Sequence, residues 1–296
     1  MIKDPLWSTV LGWLLTCLGF VGNIFIISLI ISKKPLIKQK TNWFFLSLSL
    51  ADLGVTLSLF PGNFFCLPNK FCHYVLLASS QWAFITTSVI NLCMFTLDRY
   101  IAITKPFKYL HFTSTNRVTV SLICIAWIVP FTFNFLPFTF IYSEQKVIAL
   151  KYYTYFMVVT FEFVPTIFLI LVTTHMVFIV VKLTRATTAV MAQLQYNQPA
   201  TEGGSVAQLR QENGRRLTSL LFIVSIVVFF LICYSVTIAT TCCTTFKLCQ
   251  YYPLAFLLQK ILLCANSAFN PFAYGFLKHD IKREVKRLLG TASHDG

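Results

Sequence analysis

The chain has 296 residues, 56% of them hydrophobic and only 11% charged. A soluble domain carries about 25% charged residues, so this composition excludes an ordinary soluble protein. The net charge of +14 suggests nucleic-acid binding, but the positions of the basic residues argue against it.

Runs of about 20 apolar residues read as membrane helices, and seven occur. The first, 6–31, carries no charge, and the second, 41–65, carries only Asp52. The third, 72–103, carries Asp98 and Arg99 near its end, and the fourth, 118–141, carries none. The fifth, 150–181, holds Lys151 and Glu162; the sixth, 217–242, is uncharged; the seventh, 251–277, holds only Lys260. In hydrocarbon the backbone must satisfy its own hydrogen bonds, so each run is helical. Strands of a β-barrel would be shorter and alternating. The expectation is an all-α membrane protein: one seven-helix domain over 1–296.

The basic residues cluster in alternate connections. Lys33, Lys34, Lys38 and Lys40 follow the first span. Arg99, Lys105, Lys108 and Arg117 follow the third, and Lys182, Arg185, Arg210, Arg215 and Arg216 the fifth. Lys278, Lys282, Arg283, Lys286 and Arg287 follow the seventh. The positive-inside rule places these in the cytoplasm, with the N-terminus outside and the C-terminus inside a plasma membrane. The first span is too long, and too lysine-flanked, for a cleaved signal peptide. No Asn-x-Ser/Thr acceptor is present.

The connection 182–216, with Thr201-Glu202-Gly203-Gly204-Ser205, reads as a mobile cytoplasmic loop. In 278–289, Ile281, Val285, Leu288 and Leu289 share one helical face. That pattern suits an amphipathic helix on anionic membrane lipids; a solvated basic tail is the alternative. Cys66, Cys72, Cys242, Cys243 and Cys249 lie near outer loops and can pair locally. Cys17, Cys93, Cys124, Cys233 and Cys264 read as packing residues within spans.

Two motifs stand at the same membrane face: Asp98-Arg99-Tyr100 ends the third span, and Asn270-Pro271-Phe272-Ala273-Tyr274 ends the seventh. Together, in this order, they resemble the rhodopsin-like G protein-coupled receptors. The resemblance runs from about 19 to 289 and includes Asn23, Trp127 and Pro165. It implies that Asp98 holds Arg99 at rest and that Arg99 meets a heterotrimeric G protein in the active state. Pro106 and Phe107 stand where the second inner loop contacts that partner.

Asp52 lies near mid-membrane, where an unpaired charge costs at least about 2.5–3.5 kcal/mol. In the resembled family the matching positions hold an allosteric sodium ion, and here they read Asp52, Ser88, Asn266, Ser267 and Asn270. A hydrogen-bonded polar core without an ion is the alternative.

Departures from the family pattern are specific. The sixth span reads Phe230-Leu231-Ile232-Cys233-Tyr234-Ser235-Val236, with Tyr234 for the usual tryptophan and Val236 for the usual proline. Thr173 replaces a tyrosine that often partners Tyr274, and Arg216 replaces an acid that in some members locks the arginine. Tyr74 stands at the usual third-span cysteine, and no cysteine lies between Trp127 and Pro165. These changes bear on activation rather than on the fold.

Gln81 stands where amine receptors carry an aspartate, which disfavours an amine ligand. Cys264 stands where opsins carry the retinal lysine, so no retinal is expected. Glu162 and Lys260 either pair with each other or leave Lys260 for an anionic ligand group. Trp82, Ile85, Phe161 and Tyr234 would add an apolar and aromatic wall, or are helix packing. The expected ligand is a small molecule or lipid-like. A transporter is disfavoured because no internal repeat is visible, and an intramembrane enzyme because His73 and His175 stand apart from any nucleophile. A non-signalling or atypically activated receptor remains the main alternative.

Overall fold

The computed structural model describes residues 5–66, 73–105, 109, 117–140, 146–197, 203–249, 253–288 and 290. Among these there is no strand. Helix α1 is Leu6–Ser32, α2 Lys40–Cys66, α3 Tyr74–Thr104 and α4 Arg117–Phe135. Helix α5 runs from Lys146–Met157 through a π-helical turn at Val158–Phe163 into Val164–Asn197. Helix α6 is Gly203–Thr245, α7 Pro253–Leu277 and α8 His279–Leu288. Single turns of helix occur at Lys34–Ile37 and Pro137–Phe140.

Among the described residues six helices, α1 to α6, are long and apolar enough to cross a membrane. The seventh, α7, has 25 residues, or roughly 37 Å at 1.5 Å per residue. It is more polar because Gln259, Lys260, Asn266, Ser267 and Asn270 line its inward side. The helices close into a ring: α1 packs on α2 and α7, α3 on α2, α4 and α5, and α6 on α5 and α7. α3 therefore runs through the middle, and residues facing it are the best placed to meet. Many large apolar side chains on the outer faces stay exposed, as a lipid-facing surface requires.

Small residues set the closest approaches. A Cβ on Gly19 would lie 2.9 Å from the Thr56 hydroxyl, and one on Gly22 would lie 3.0 Å from Pro271. These glycines let α1 reach α2 and α7 without displacing either backbone. An aromatic cluster locks the Asp98 end. The Phe45 ring lies 4.6 Å from Tyr274 and 4.8 Å from Phe95, with Phe222 against all three. Such pairs add about 0.5–1.5 kcal/mol each beyond their buried area.

The stretch 182–216 departs from the expected mobile loop. α5 continues to Asn197 and α6 begins at Gly203, so most of the stretch is helix. Ala, Gln, Leu, Met and Arg make up most of the α5 extension, and Gln and Arg recur in that of α6; these are strong helix formers. Residues 198–202 lie outside the described ones. In α8, Ile281 is buried, Val285 packs on the core and Leu288 is 54% exposed. Leu289 lies outside the described residues. Glu284, buried in the same helix, is paired with Arg287 at 2.8 Å.

Near the Lys260 end, Cys243 and Cys249 form a disulfide. Lys247 sits inside that loop at a positive φ of 55°. Cys66 is also disulfide-bonded, Cys242 is free, and Cys72 lies outside the described residues.

Candidate functional site

The buried polar core draws on three helices. Asp52, on α2, is fully buried. Its Oδ1 accepts from Ser88 Oγ of α3 at 2.8 Å and from Ser267 Oγ of α7 at 3.1 Å. Its Oδ2 accepts from Asn270 Nδ2 at 2.8 Å. Four of the five expected ion-site residues thus meet. The fifth, Asn266, lines a small cavity of about 10 Å³ beside Ser88 and Ser267, close to the space one water needs. Asn23 Nδ2 donates to Gly19 O at 2.8 Å and to Ser267 O at 3.2 Å, tying α1 to this core. Trp127 Nε1 donates to Ser47 Oγ at 2.9 Å, and Ser47 donates to Asn91 Oδ1 at 2.7 Å, joining α4, α2 and α3.

At the Asp98 end Arg99 has three partners. Arg99 Nε donates to Asp98 Oδ2 at 2.9 Å, and its terminal nitrogen donates to Thr41 Oγ1 at 2.6 Å and Tyr109 OH at 2.9 Å. Tyr109 OH in turn donates to Asp98 Oδ1 at 3.1 Å. Burial raises the Tyr109 phenol above its ordinary pKa. Tyr100 OH lies 3.0 Å from His175 Nδ1. Tyr274 is buried with no partner for its hydroxyl among the described residues, and Thr173 Oγ1 is likewise unpartnered. That agrees with the missing tyrosine partner on α5. Pro106, Phe107 and the Arg216 side chain lie outside the described residues.

Thr41 and Tyr109 escaped the sequence reading because nothing in their spacing points at Arg99; only the fold brings them there. Lys278 escaped it too. Its ammonium donates to Asn42 Oδ1 and lies 4.2 Å above the Phe45 ring. Burial, with the Arg99 charge nearby, lowers its pKa to about 7.

At the other end a cavity of about 450 Å³ opens between α2, α3, α5, α6 and α7. Gln81, Trp82, Ile85, Phe161, Glu162 and Lys260 line it as expected. Tyr234 does not. It stands one layer deeper, stacked on Phe230 at 4.9 Å and lining the small cavity beside the polar core. The π-helical turn at Val158–Phe163 carries Phe161 and Glu162 to the cavity. Such a turn adds one residue to the helix and re-aims its side chains. Gln81 Nε2 donates to Ser58 O at 2.7 Å and to Asn63 Oδ1 at 3.2 Å, so its amide nitrogen is committed to α2. Sequence reasoning missed Thr86, Asn134, Thr241 and Gln259, which line the same cavity from α3, α4, α6 and α7.

With this geometry in place, the sequence comparisons agree. Residues 22–274 match the family described as 7 transmembrane receptor (rhodopsin family). The chain belongs to that family. It is a multi-pass membrane protein of a receptor family, not an enzyme family. Among similar proteins are an octopamine receptor beta-2R of Chilo suppressalis, 30% identical over 131 residues, and the D(1B) dopamine receptor of Mus musculus, 28% identical over 130 residues. The D(1B) dopamine receptor of Rattus norvegicus is also 28% identical. The matches cover 42% and 43% of this chain and only 32% and 27% of the octopamine and mouse dopamine receptors. The matched stretch spans under a third of each of those relatives.

Proposed function

We propose that this receptor binds a small-molecule or lipid-like ligand in the 450 Å³ cavity and activates a heterotrimeric G protein at the Asp98 end. The observation that carries this reading is the pairing of an open polar–aromatic cavity at one end with a tethered Arg99 at the other. The Asp52 network connects them through α2, α3 and α7. A ligand that binds one arrangement of these helices better than the other shifts the balance between them. The basic residues support an outer N-terminus and a cytoplasmic Asp98 end in the plasma membrane. An epitope inserted near Gly203 should be stained only after permeabilisation; staining of intact cells would reverse the topology. Membrane lipids are the expected support for α8, whose basic residues alternate with Ile281 and Val285.

An allosteric sodium ion fits the residues at the core. Ser88, Ser267 and Asn266 line a cavity of about 10 Å³, with Asp52 hydrogen-bonded to both serines, and a hard cation prefers oxygen ligands. Bound there, the ion would hold α2, α3 and α7 in the resting arrangement.

The names of the relatives specify octopamine and dopamine. Gln81 is uncharged, so a simple amine lacks the third-helix carboxylate that amine receptors offer. A second reading, a receptor that does not signal, is favoured by α6 itself. Its 43 residues contain no proline, so the usual cause of a kink is missing. The test is a ligand panel in cells with a G protein-dissociation readout. Dissociation that Arg99→Ala abolishes supports coupling; ligand binding without dissociation supports the non-signalling reading.

A further inference from the structure

Glu162 and Lys260 face one cavity without pairing. Glu162 is 5% exposed, and its Oε2 has no hydrogen-bond partner among the described residues. Its polar neighbour is Thr241. Lys260 lines the same cavity from α7, half-buried. No ion pair among the described residues joins the two. The ring order explains why: α6 stands between α5 and α7, so neither backbone brings its charge to the other.

An unpaired buried charge is costly, and removing only one partner of a buried pair leaves the other uncompensated. A ligand carrying a single charge would therefore satisfy one of these residues and leave the second exposed to a drier cavity. We propose that the ligand is a zwitterion that places an anionic group on Lys260 and an ammonium on Glu162. This rests on the cavity being the ligand site, and it narrows the ligand class there. Trp82, Ile85 and Phe161 supply an apolar wall between the two poles. An amino acid or short peptide with an aromatic or aliphatic side chain has this distribution of charge and apolar surface. The volume lies within the range of small-ligand sites, about 300–1,000 Å³.

The test uses the full-length receptor in lipid nanodiscs and thermal-shift titration. The probes are phenylalanine, tyrosine, tryptophan and leucine, each with the amine that lacks its carboxylate and the acid that lacks its ammonium. At least one amino acid should bind tenfold or more tighter than both of its single-charge analogues, the loss expected when a charge-assisted hydrogen bond is missing. In Lys260→Met the amino acid and its amine should converge in affinity; in Glu162→Gln the amino acid and its acid should converge. The analogue comparison needs no variant, so misfolding of either cannot hide the answer. Equal binding of a single-charge analogue, or no binding by any probe, overturns the zwitterion. A selective zwitterion that causes no G protein dissociation in cells would instead remove only the coupling reading, and dissociation driven solely by single-charge agonists would remove only this one.

Discussion

Arg99, at one end of the bundle, is held by Asp98, Thr41 and Tyr109. Lys260, at the other end, makes no hydrogen bond or ion pair with any described residue. Arg99 lies against Asp98, whereas Lys260 only shares a cavity with Glu162, so only one of the two cations is tethered. Asp98 is adjacent in sequence to Arg99, so one helix turn delivers the pair, and the fold adds Thr41 and Tyr109 to fix it. Glu162 and Lys260 come from α5 and α7, which α6 separates in the ring. In the proposed reading, the saturated charges at the Asp98 end hold the resting arrangement. On the same reading, the unsaturated ones at the Lys260 end leave interaction energy for a ligand.

The largest effect that can break this contrast is on signalling. Arg99→Ala should abolish G protein dissociation, ligand-driven and basal alike. Asp98→Ala should do the opposite. It removes the charged partner of Arg99, and a loss of about 1.4 kcal/mol from the resting state raises the active fraction roughly tenfold. Basal activity unchanged in Asp98→Ala would mean that Thr41 and Tyr109 hold Arg99 without it, and the tether would need to be reassigned.

Stability at the Lys260 end comes next. The Cys243–Cys249 loop spans six positions of sequence, and closing so short a loop is worth about 2 kcal/mol in the chain-entropy account. Cys243→Ser should lower the melting temperature by several degrees while leaving the Arg99 cluster, and basal signalling, unaltered. A parallel change in basal signalling would show that the two ends are more tightly coupled than their separate charge patterns indicate.

The middle of the bundle should respond to sodium. At ten times the dissociation constant a bound ion adds about 1.4 kcal/mol to stability by mass action, a rise of a few degrees. Raising sodium at constant ionic strength should give this shift in the native receptor and none in Asp52→Asn. Equal shifts in both would leave Asp52 as a hydrogen-bonded polar core without an ion.

Much of this was visible in the sequence, for a physical reason. Hydrocarbon demands long uncharged runs, so the spans stand out, and the charges left inside them stand out more: Asp52, Glu162 and Lys260 were each marked by their cost. The Asp52 partners came from the resemblance to the rhodopsin-like family, at matching positions on α3 and α7. What stayed hidden depended on helix rotation and on tertiary approach. Hydropathy does not distinguish an i+4 from an i+5 hydrogen bond, so the π-helical turn before Pro165 left no trace, although it carries Glu162 to the cavity. Tyr234 was placed too high because its depth depends on how α6 rotates against Phe230. Gly203-Gly204 read as a linker, whereas α6 starts there. Three cysteines close together near the outer loop left the pairing open, and geometry selected Cys243 with Cys249 over Cys242.

The smallest effect concerns Lys278, which sits at the tethered end but does not share its logic. Its ammonium rests on the Phe45 ring and donates to Asn42, while burial and the Arg99 charge disfavour its protonated form, with Asp280 and Asp98 opposing. A lysine lowered to about 7 in the folded receptor and near 10.4 unfolded binds fewer protons when folded across that window. Stability should therefore rise as pH increases from about 7 toward 10, and the penalty is fully present below 7. Lys278→Met keeps a chain of similar length against Phe45 and removes the charge. Replacing a poorly compensated buried charge by an apolar side chain is neutral to stabilising, so we expect a gain of about 1 kcal/mol near pH 6, or roughly 2–4 °C, shrinking to nothing as pH approaches about 10.4. A melting temperature that falls in Lys278→Met at both pH values would show that the Asn42 and Phe45 contacts outweigh the desolvation, making Lys278 a further fastening of the resting end.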